Sequence, residues 1–331
     1  MGTKSWQDSK MDSIGGNKVP PSSLLISLDV ELQWGFYDLP YRLTPAEVRN
    51  IPQVIEEMLG LFQQHHVKAT WAVVGALACP DAPTLIEELT TIPFQYQRES
   101  CHPLGIREEI GAALVGFVAP GIVEKLRKAP EQEIACHTFS HFYAQELPFY
   151  EEAFRKDLEL CKKWLPEAKT LIFPRNQHFP RAVEIAQEAG LPIVRSNPSH
   201  WLYRVNSSRK DGHLKRIMRL ADHYFPLAGH HFVHQKGPEI SYSRFFRPIQ
   251  PISYLEHRKV DRICQSLSVA AVTGNSYHLW WHPHNFAKYP KESLKQLDHI
   301  LSHYHFLHET HGMQSHTLHD FYQLSHAALP V

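Results

Sequence analysis

Short apolar runs alternate with amphipathic ones along this chain, and that alternation limits the fold more than any other feature. Ser23 to Val30 (SLLISLDV) is rich in Leu and Ile and runs into acidic residues, as a strand buried on both faces does. Thr44 to Gln64 then sets Val48, Ile51, Ile55, Met58, Leu59 and Phe62 at helical spacing. Thr44 can cap this helix, with Pro45 in the first position and Glu47 completing a capping box. Lys68 to Val74 (KATWAVV) reads as the next strand. Strand, helix, strand in that order predicts a parallel sheet with right-handed crossovers. The pattern continues with strands at 133–136, 170–173, 192–195 and 277–281, and helices at 121–128, 150–164, 181–189 and 292–305. Two connections, 92–116 and 197–254, are too long for plain turns and are expected to wall a pocket.

Composition removes several function classes. The 34 basic and 34 acidic residues cancel, so the chain has no overall basic footprint for nucleic acid. The basic run from Arg204 to Arg219 reads as a solvated helix face. No stretch approaches the roughly 20 apolar residues of a membrane span. Residues 1–22 are polar, contain Gly15, Gly16, Pro20 and Pro21, and have no apolar signal core. They read as a flexible tail before one domain at 23–331, and a cytoplasmic location is expected. Five scattered cysteines with no C-x-x-C spacing suggest neither a disulfide framework nor a cysteine zinc site.

In a parallel α/β barrel the loops at the strand ends converge on one face, so polar residues there are the candidates for chemistry. They are Asp29 and Glu31; His137 and His141; Arg175, Asn176 and Gln177; Arg195, Ser196 and Asn197; and His282, His284 and Asn285. His137 and His141 are four apart, the spacing of one helical turn, so both imidazoles can reach one ion. His299 and His303 share that spacing but lie in an expected surface helix. Asp29 and Glu31 are two apart and point to the same side of an extended strand. One can ligate a metal while the other serves as general base, and the spacing leaves open which does which. Two imidazoles, a carboxylate and a water suit catalytic Zn²⁺, and the same donors accept Co²⁺ or Ni²⁺. His282 or His284 can return a proton to a leaving amine. Arg195, Asn197, His284 and Trp281 are assigned to substrate, with a buried ion pair or a turn cap as the alternative for Arg195 and Asn197.

In their order these motifs resemble the polysaccharide deacetylase family, also called NodB-homology or carbohydrate esterase family 4. Ser27-Leu28-Asp29-Val30-Glu31 stands where the family opens with T-F-D-D-G. Lys68-Ala69-Thr70-Trp71 matches its second strand, and His137-Thr138-Phe139-Ser140-His141 matches its H-[ST]-x-x-H motif in full. Phe173-Pro174-Arg175-Asn176-Gln177 and Leu279-Trp280-Trp281-His282 stand for the last two motifs. The resemblance implies an irregular (β/α)₇-type barrel with long loop insertions, and makes 23–331 a deacetylase-like catalytic domain. It implies Asp29 as base, His137 and His141 as metal ligands, His282 as acid, and Arg175 as the residue that orients Asp29. The family's usual metal-binding Asp falls on Val30, which moves that role to Glu31. The implied activity is removal of an N-acetyl group from an amino sugar, free, nucleotide-linked or lipid-linked, in the making of a surface polysaccharide such as a capsule or lipopolysaccharide O-antigen. The alternatives are deformylation or other C–N hydrolysis on the same site, or a metal-binding homologue without turnover.

Overall fold

The computed structural model describes residues 22–112, 116–146, 148–203, 212–225, 227–250 and 253–327. Its elements in chain order are β1 (Ser23–Val30), α1 (Pro45–Gln64), β2 (Thr70–Val73), α2 (Ala82–Thr90), α3 (Arg107–Gly111), α4 (Pro120–Lys128), β3 (Glu133–Cys136), α5 (Glu151–Trp164), β4 (Thr170–Leu171), α6 (Pro180–Glu188) and β5 (Ile193–Ser196). There follow α7 (His213–Asp222), β6 (Gln235–Lys236), β7 (Glu239–Ser241), β8 (Arg244–Phe245), α8 (Ser253–Thr273), β9 (Tyr277–Trp281), α9 (Pro290–His311), β10 (Gln314–His316) and α10 (Leu318–Ala327). The capping box forms: Glu47 N donates to Thr44 Oγ1 at 3.2 Å, and Thr44 N donates to Glu47 Oε2 at 2.8 Å. The helix it opens buries Val48, Ile51, Val54, Ile55, Met58 and Phe62 against the sheet, and Pro52 is accommodated inside it.

Strands β5, β4, β3, β2, β1 and β9 lie side by side in that order, all parallel. The segment that follows β6 closes the ring. Its first part, β7, pairs with β5, and its second part, β8, pairs with β9. Between them Tyr242 N donates to Ser196 O at 3.1 Å and Ser243 N to His278 O at 2.8 Å. One continuous run is therefore the seventh stave of a barrel, and the fold is an irregular (β/α)₇-type barrel. This stave lies inside the long 197–254 connection and carries no strand periodicity, because its two pairing stretches are only three and two residues long.

Alternation along the strands sorts side chains into layers. Leu25, Ala72, Ala135, Ile172, Ile193 and Ile240 point inward, and Leu318 of α10 floors them. Two residues further along β1, β3 and β5 stand Ser27, His137 and Arg195. Trp280 pairs beside Ser27, and beyond them come Asp29, Asn197, His282 and Glu31, so the barrel interior turns polar toward its C-terminal mouth. The outward positions Leu24, Ile26, Leu28, Trp71, Val73 and Trp281 form the large core beneath the helices.

Two expectations change here. His137 to His141 is not helical: it is an irregular loop, with Thr138 and His141 at φ 59° and 56°. Cys136 and Cys161 form a disulfide, Cα atoms 6.5 Å apart, which the scattered cysteine spacing did not suggest. The tail falls on residues 1–21, which lie outside the described residues, as do 204–211 of the basic run. Ser22 is buried, and its carbonyl accepts Gln314 N.

Candidate metal centre and active site

Glu31 stands just past β1 at the barrel mouth, buried, with its carboxylate at the centre of the site. His141 Nε2 lies 2.9 Å and His137 Nε2 3.3 Å from Glu31 Oε2, and the other oxygen faces His282 Nε2 at 3.4 Å. A Cβ at Gly35 would stand 2.1 Å from Glu31 Oε1, so this glycine makes the room the carboxylate occupies. Burial works to raise the Glu31 pKa, but His282, His137 and His141 outweigh it and hold the carboxyl well below the usual range.

The loop that carries the two histidines is fixed from below. Asp157 of α5 accepts Phe139 N at 2.7 Å, Ser140 N at 2.9 Å and the Ser140 hydroxyl. Thr138 Oγ1 accepts Phe142 N at 2.7 Å. The disulfide joins the residue before His137 to α5, four residues beyond Asp157. Left-handed backbone at a β-branched residue persists only where surroundings impose it, and these bonds do so at Thr138. Burial pushes the Asp157 carboxyl up to about 6, against the pull of its bonds to Ser140 and Phe139.

Asp29 has a different environment. Arg195, wholly buried, grips it with Nη1 to Oδ1 and Nη2 to Oδ2, both at 2.7 Å. The same guanidinium donates to Ser27 Oγ and Asn176 Oδ1, each at 3.0 Å, and lies 4.3 Å above the Trp280 ring. Burial again works to raise the Asp29 pKa, and Arg195, with His137 and His282, more than reverses it. His282 Nε2 is 3.9 Å from Asp29 Oδ2. His284 stacks on His282 at 4.8 Å, meets the edge of Phe36, and has a buried Nδ1 without a partner. Burial, with His282 beside it, pushes the His284 pKa down to about 3.

Three expected roles are corrected. Arg175 does not reach Asp29. Left-handed backbone at Arg175 and Asn176 (φ 58° and 52°) turns the chain aside after β4, and the guanidinium pairs with Asp38 and lies 4.0 Å over the Tyr143 ring. Arg195 is not a substrate contact but the buried partner of Asp29, because its strand points it into the barrel beside Ser27, from where the guanidinium reaches the Asp29 carboxylate. Trp281 points outward and packs on Phe62, Phe246 and Phe286; Trp280 is the tryptophan on the site side. Asn197 donates to Asn176 O at 2.9 Å and, with Gln145, His178, Ser199 and Glu239, lines an adjoining pocket of about 220 Å³.

Sequence reasoning missed the support of His141. Its Nδ1 is 3.3 Å from Tyr143 Oη, which in turn donates to Asp38 Oδ1 at 2.9 Å, and Asp38 is held by Arg175 and Arg98. The aromatic run 139–143 hinted at packing, but nothing in the sequence joined Asp38 to it. The donor set itself fits a divalent ion. Glu31, His137 and His141 each offer a ligand atom within 4.8 Å of the others, all three are buried, and one imidazole is oriented through its second nitrogen.

The fold is that of a polysaccharide-deacetylase-like (β/α) barrel. The chain matches no protein-family profile and no curated protein. Among solved structures it is similar to a protein provisionally named a polysaccharide deacetylase from Mycobacterium smegmatis. The TM-score is 0.52 and the identity 12%, over 88% of this chain and 86% of that one. It is similar to nearly the same degree to a GH57-type branching enzyme from Pyrococcus horikoshii, with TM-score 0.51 and 10% identity over 91% of this chain and 70% of that one. A CE4-family pseudoenzyme from Bacillus anthracis also matches, at TM-score 0.43 and 10% identity, over 90% of this chain and 64% of that one. Likeness at such identities establishes the barrel, and the chemistry is argued from the site.

Proposed function

We propose that this chain is a metal-dependent hydrolase that removes the N-acetyl group of an amino sugar. The observation that carries the reading is the division between two carboxylates: Glu31 meets two imidazoles at one oxygen, while Asp29 is locked by Arg195. Glu31, His137 and His141 would hold the ion, Zn²⁺ by preference, with Co²⁺ and Ni²⁺ accepted by the same donors. When bound, such an ion polarises an amide carbonyl and brings the pKa of water toward ~7.

The other residues supply proton transfer and orientation. Asp29 takes the proton of the attacking water on Oδ2, and the two Arg195 bonds hold its carboxylate in one orientation. His282, within reach of both carboxylates, gives a proton to the departing amine nitrogen, and His284 stacks behind it. Asn197 and its pocket receive part of the sugar. Glycoside cleavage needs one carboxyl kept protonated as the acid. Here both are held below the usual range, Asp29 by Arg195 and Glu31 by the imidazoles around it, which favours amide hydrolysis.

We place the reaction in surface polysaccharide synthesis, on the cytoplasmic side. The Cys136–Cys161 bond is the observation that weighs against a reducing compartment, and the redox state of these thiols in cells decides the matter. The central test pairs two variants. Asp29→Asn should keep a stoichiometric metal and lose turnover, whereas Glu31→Gln should lose the metal. Metal lost from Asp29→Asn and kept by Glu31→Gln would reverse the two roles. A panel of acetylated and formylated amino sugars and cyclic amides, offered to the metal-loaded protein, separates deacetylation from the other C–N hydrolyses. Turnover of none of them would make the chain a non-catalytic homologue.

A further inference from the structure

Helix α7 carries an apolar face that the fold does not use. Leu214, Ile217 and Leu220 lie along one side of it and are 71%, 62% and 43% exposed. Trp201, Phe225 and Leu227, close in sequence, are exposed as well. These six are half of the twelve large apolar side chains exposed among the described residues, gathered into 27 positions. Scattered surface leucines are ordinary, but a concentration like this marks a binding surface.

The charge on the helix has one sign. Lys215, Arg216 and Arg219 interleave with the apolar residues. The single acid, Asp222, is wholly buried: it accepts from Tyr203 Oη at 2.6 Å and Arg262 Nη2 at 3.1 Å, and Arg244 stands 3.6 Å away. In a chain whose charges cancel overall, this is a surface helix that is both basic and apolar. Just beyond it Arg258 lies against the rings of exposed Phe225 and Tyr254.

The helix also stands at the rim of the site. His223, the residue after α7, meets the Phe245 ring, and Phe245 meets the His282 ring, with centroids 6.3 Å and 5.7 Å apart. The C-terminal end of α7 therefore lies two ring contacts from His282.

We propose that α7 is an interfacial helix that docks the barrel mouth on an anionic phospholipid surface, and that the amino sugar it acts on is lipid-linked. Leu and Ile interleaved with Lys and Arg on one helix is the pattern by which short helices lie in a bilayer interface. At ten residues α7 spans about 15 Å, enough to lie on a bilayer but not to cross it. No described helix is long and apolar enough to cross a membrane. The substrate clause rests on the amino-sugar reading; the docking clause does not.

The test is vesicle flotation of the full chain. Wild type should float with phosphatidylcholine vesicles containing phosphatidylglycerol, and much less with phosphatidylcholine alone. Leu214→Gln/Ile217→Gln/Leu220→Gln should lower the partition coefficient about tenfold or more. Lys215→Gln/Arg216→Gln/Arg219→Gln should lower it by up to about a hundredfold on anionic vesicles only, and added salt should mimic that loss. All six residues lie outside the catalytic machinery, and circular dichroism checks that both variants fold. No flotation, or equal flotation of the variants, overturns the docking clause. So does a concentration-dependent dimer that the apolar variant abolishes without vesicle binding. Flotation needs no turnover, so failure of the hydrolase reading leaves it standing. Equal kcat/KM on a soluble amino sugar and its lipid-linked form overturns the substrate clause alone.

Discussion

Replacing Arg195 by Met tests the arrangement around Asp29 most directly. The side chain is wholly buried and makes two 2.7 Å bonds to Asp29, with further bonds to Ser27 Oγ and Asn176 Oδ1. Met restores much of the volume but leaves the Asp29 carboxylate buried beside unpaired polar neighbours. Removing one partner of a buried ion pair costs about 3–5 kcal/mol, a large share of a typical 5–15 kcal/mol stability. Asp29→Asn strands the guanidinium instead, and costs less because the amide oxygen can still accept one bond. In the double variant neither charge is stranded. The two losses should therefore fall short of additive by at least about 2 kcal/mol. Urea unfolding followed by tryptophan fluorescence measures all four proteins. Arg175→Met serves as the control, since Arg175 pairs with Asp38, and its effect should add to that of Asp29→Asn. Additivity within about 0.5 kcal/mol for Arg195 and Asp29 would refute the argument.

Two further outcomes follow from the surrounding network. Tyr143→Phe removes the oxygen beside His141 Nδ1 and should lower metal affinity about 10- to 100-fold with little loss of stability. Competition against a chelator measures it, and unchanged affinity would show that Tyr143 does not orient the ligand. Burial, with Arg195 next in effect, pushes the pKa of wholly buried His278 down to about 3. Its ring contacts, Ser27 Oγ at 2.8 Å and the Ser241 carbonyl at 3.3 Å, suit the neutral form. The unfolded chain takes that proton near pH 6.5 and the folded one does not, so the contribution is complete above pH 6.5 and is lost as pH falls. It should amount to about 2 kcal/mol by pH 5. The difference in stability between wild type and His278→Gln, followed from about pH 7 to pH 5, isolates this group, and a difference independent of pH would refute it.

Much of the fold was legible because period and punctuation agreed. Thr44, Pro45 and Glu47 announced α1, and the buried runs announced β1, β2, β3 and β9. Helices α2, α3, α8 and α10 went unread, and the other features that escaped are those whose stability is wholly tertiary. The stave of β7 and β8 pairs through three and two residues, too short for periodicity to register. The His137–His141 loop has a spacing that suggests a helix, but Asp157 bonds its backbone amides, and a carboxylate distant in sequence leaves no local signature. The disulfide belongs with these, since Cys136 and Cys161 become neighbours only once α5 packs behind β3.

The site was legible in its residue types and misread in its pairings, and the two arginines show why. Both stand at strand ends, Arg195 inside β5 and Arg175 after β4, and both have an acidic partner, so chemistry alone does not separate them. Strand parity does. Val194 pairs opposite Glu239 and Arg195 opposite Ile240, an inward position, so Arg195 enters the interior beside Asp29. Arg175 comes after a two-residue strand whose continuation turns left-handed, so no parity carries it inward. It reaches the centre only at second hand, through Asp38, Tyr143 and His141. The same parity separates Trp280 from Trp281. Where a strand is long enough to fix its alternation, the direction of a side chain follows from position alone. Where it is not, the partner must come from the folded structure, and it is there that substitutions at Arg175 and Arg195 are expected to part: one in metal affinity, the other in the charge of the base.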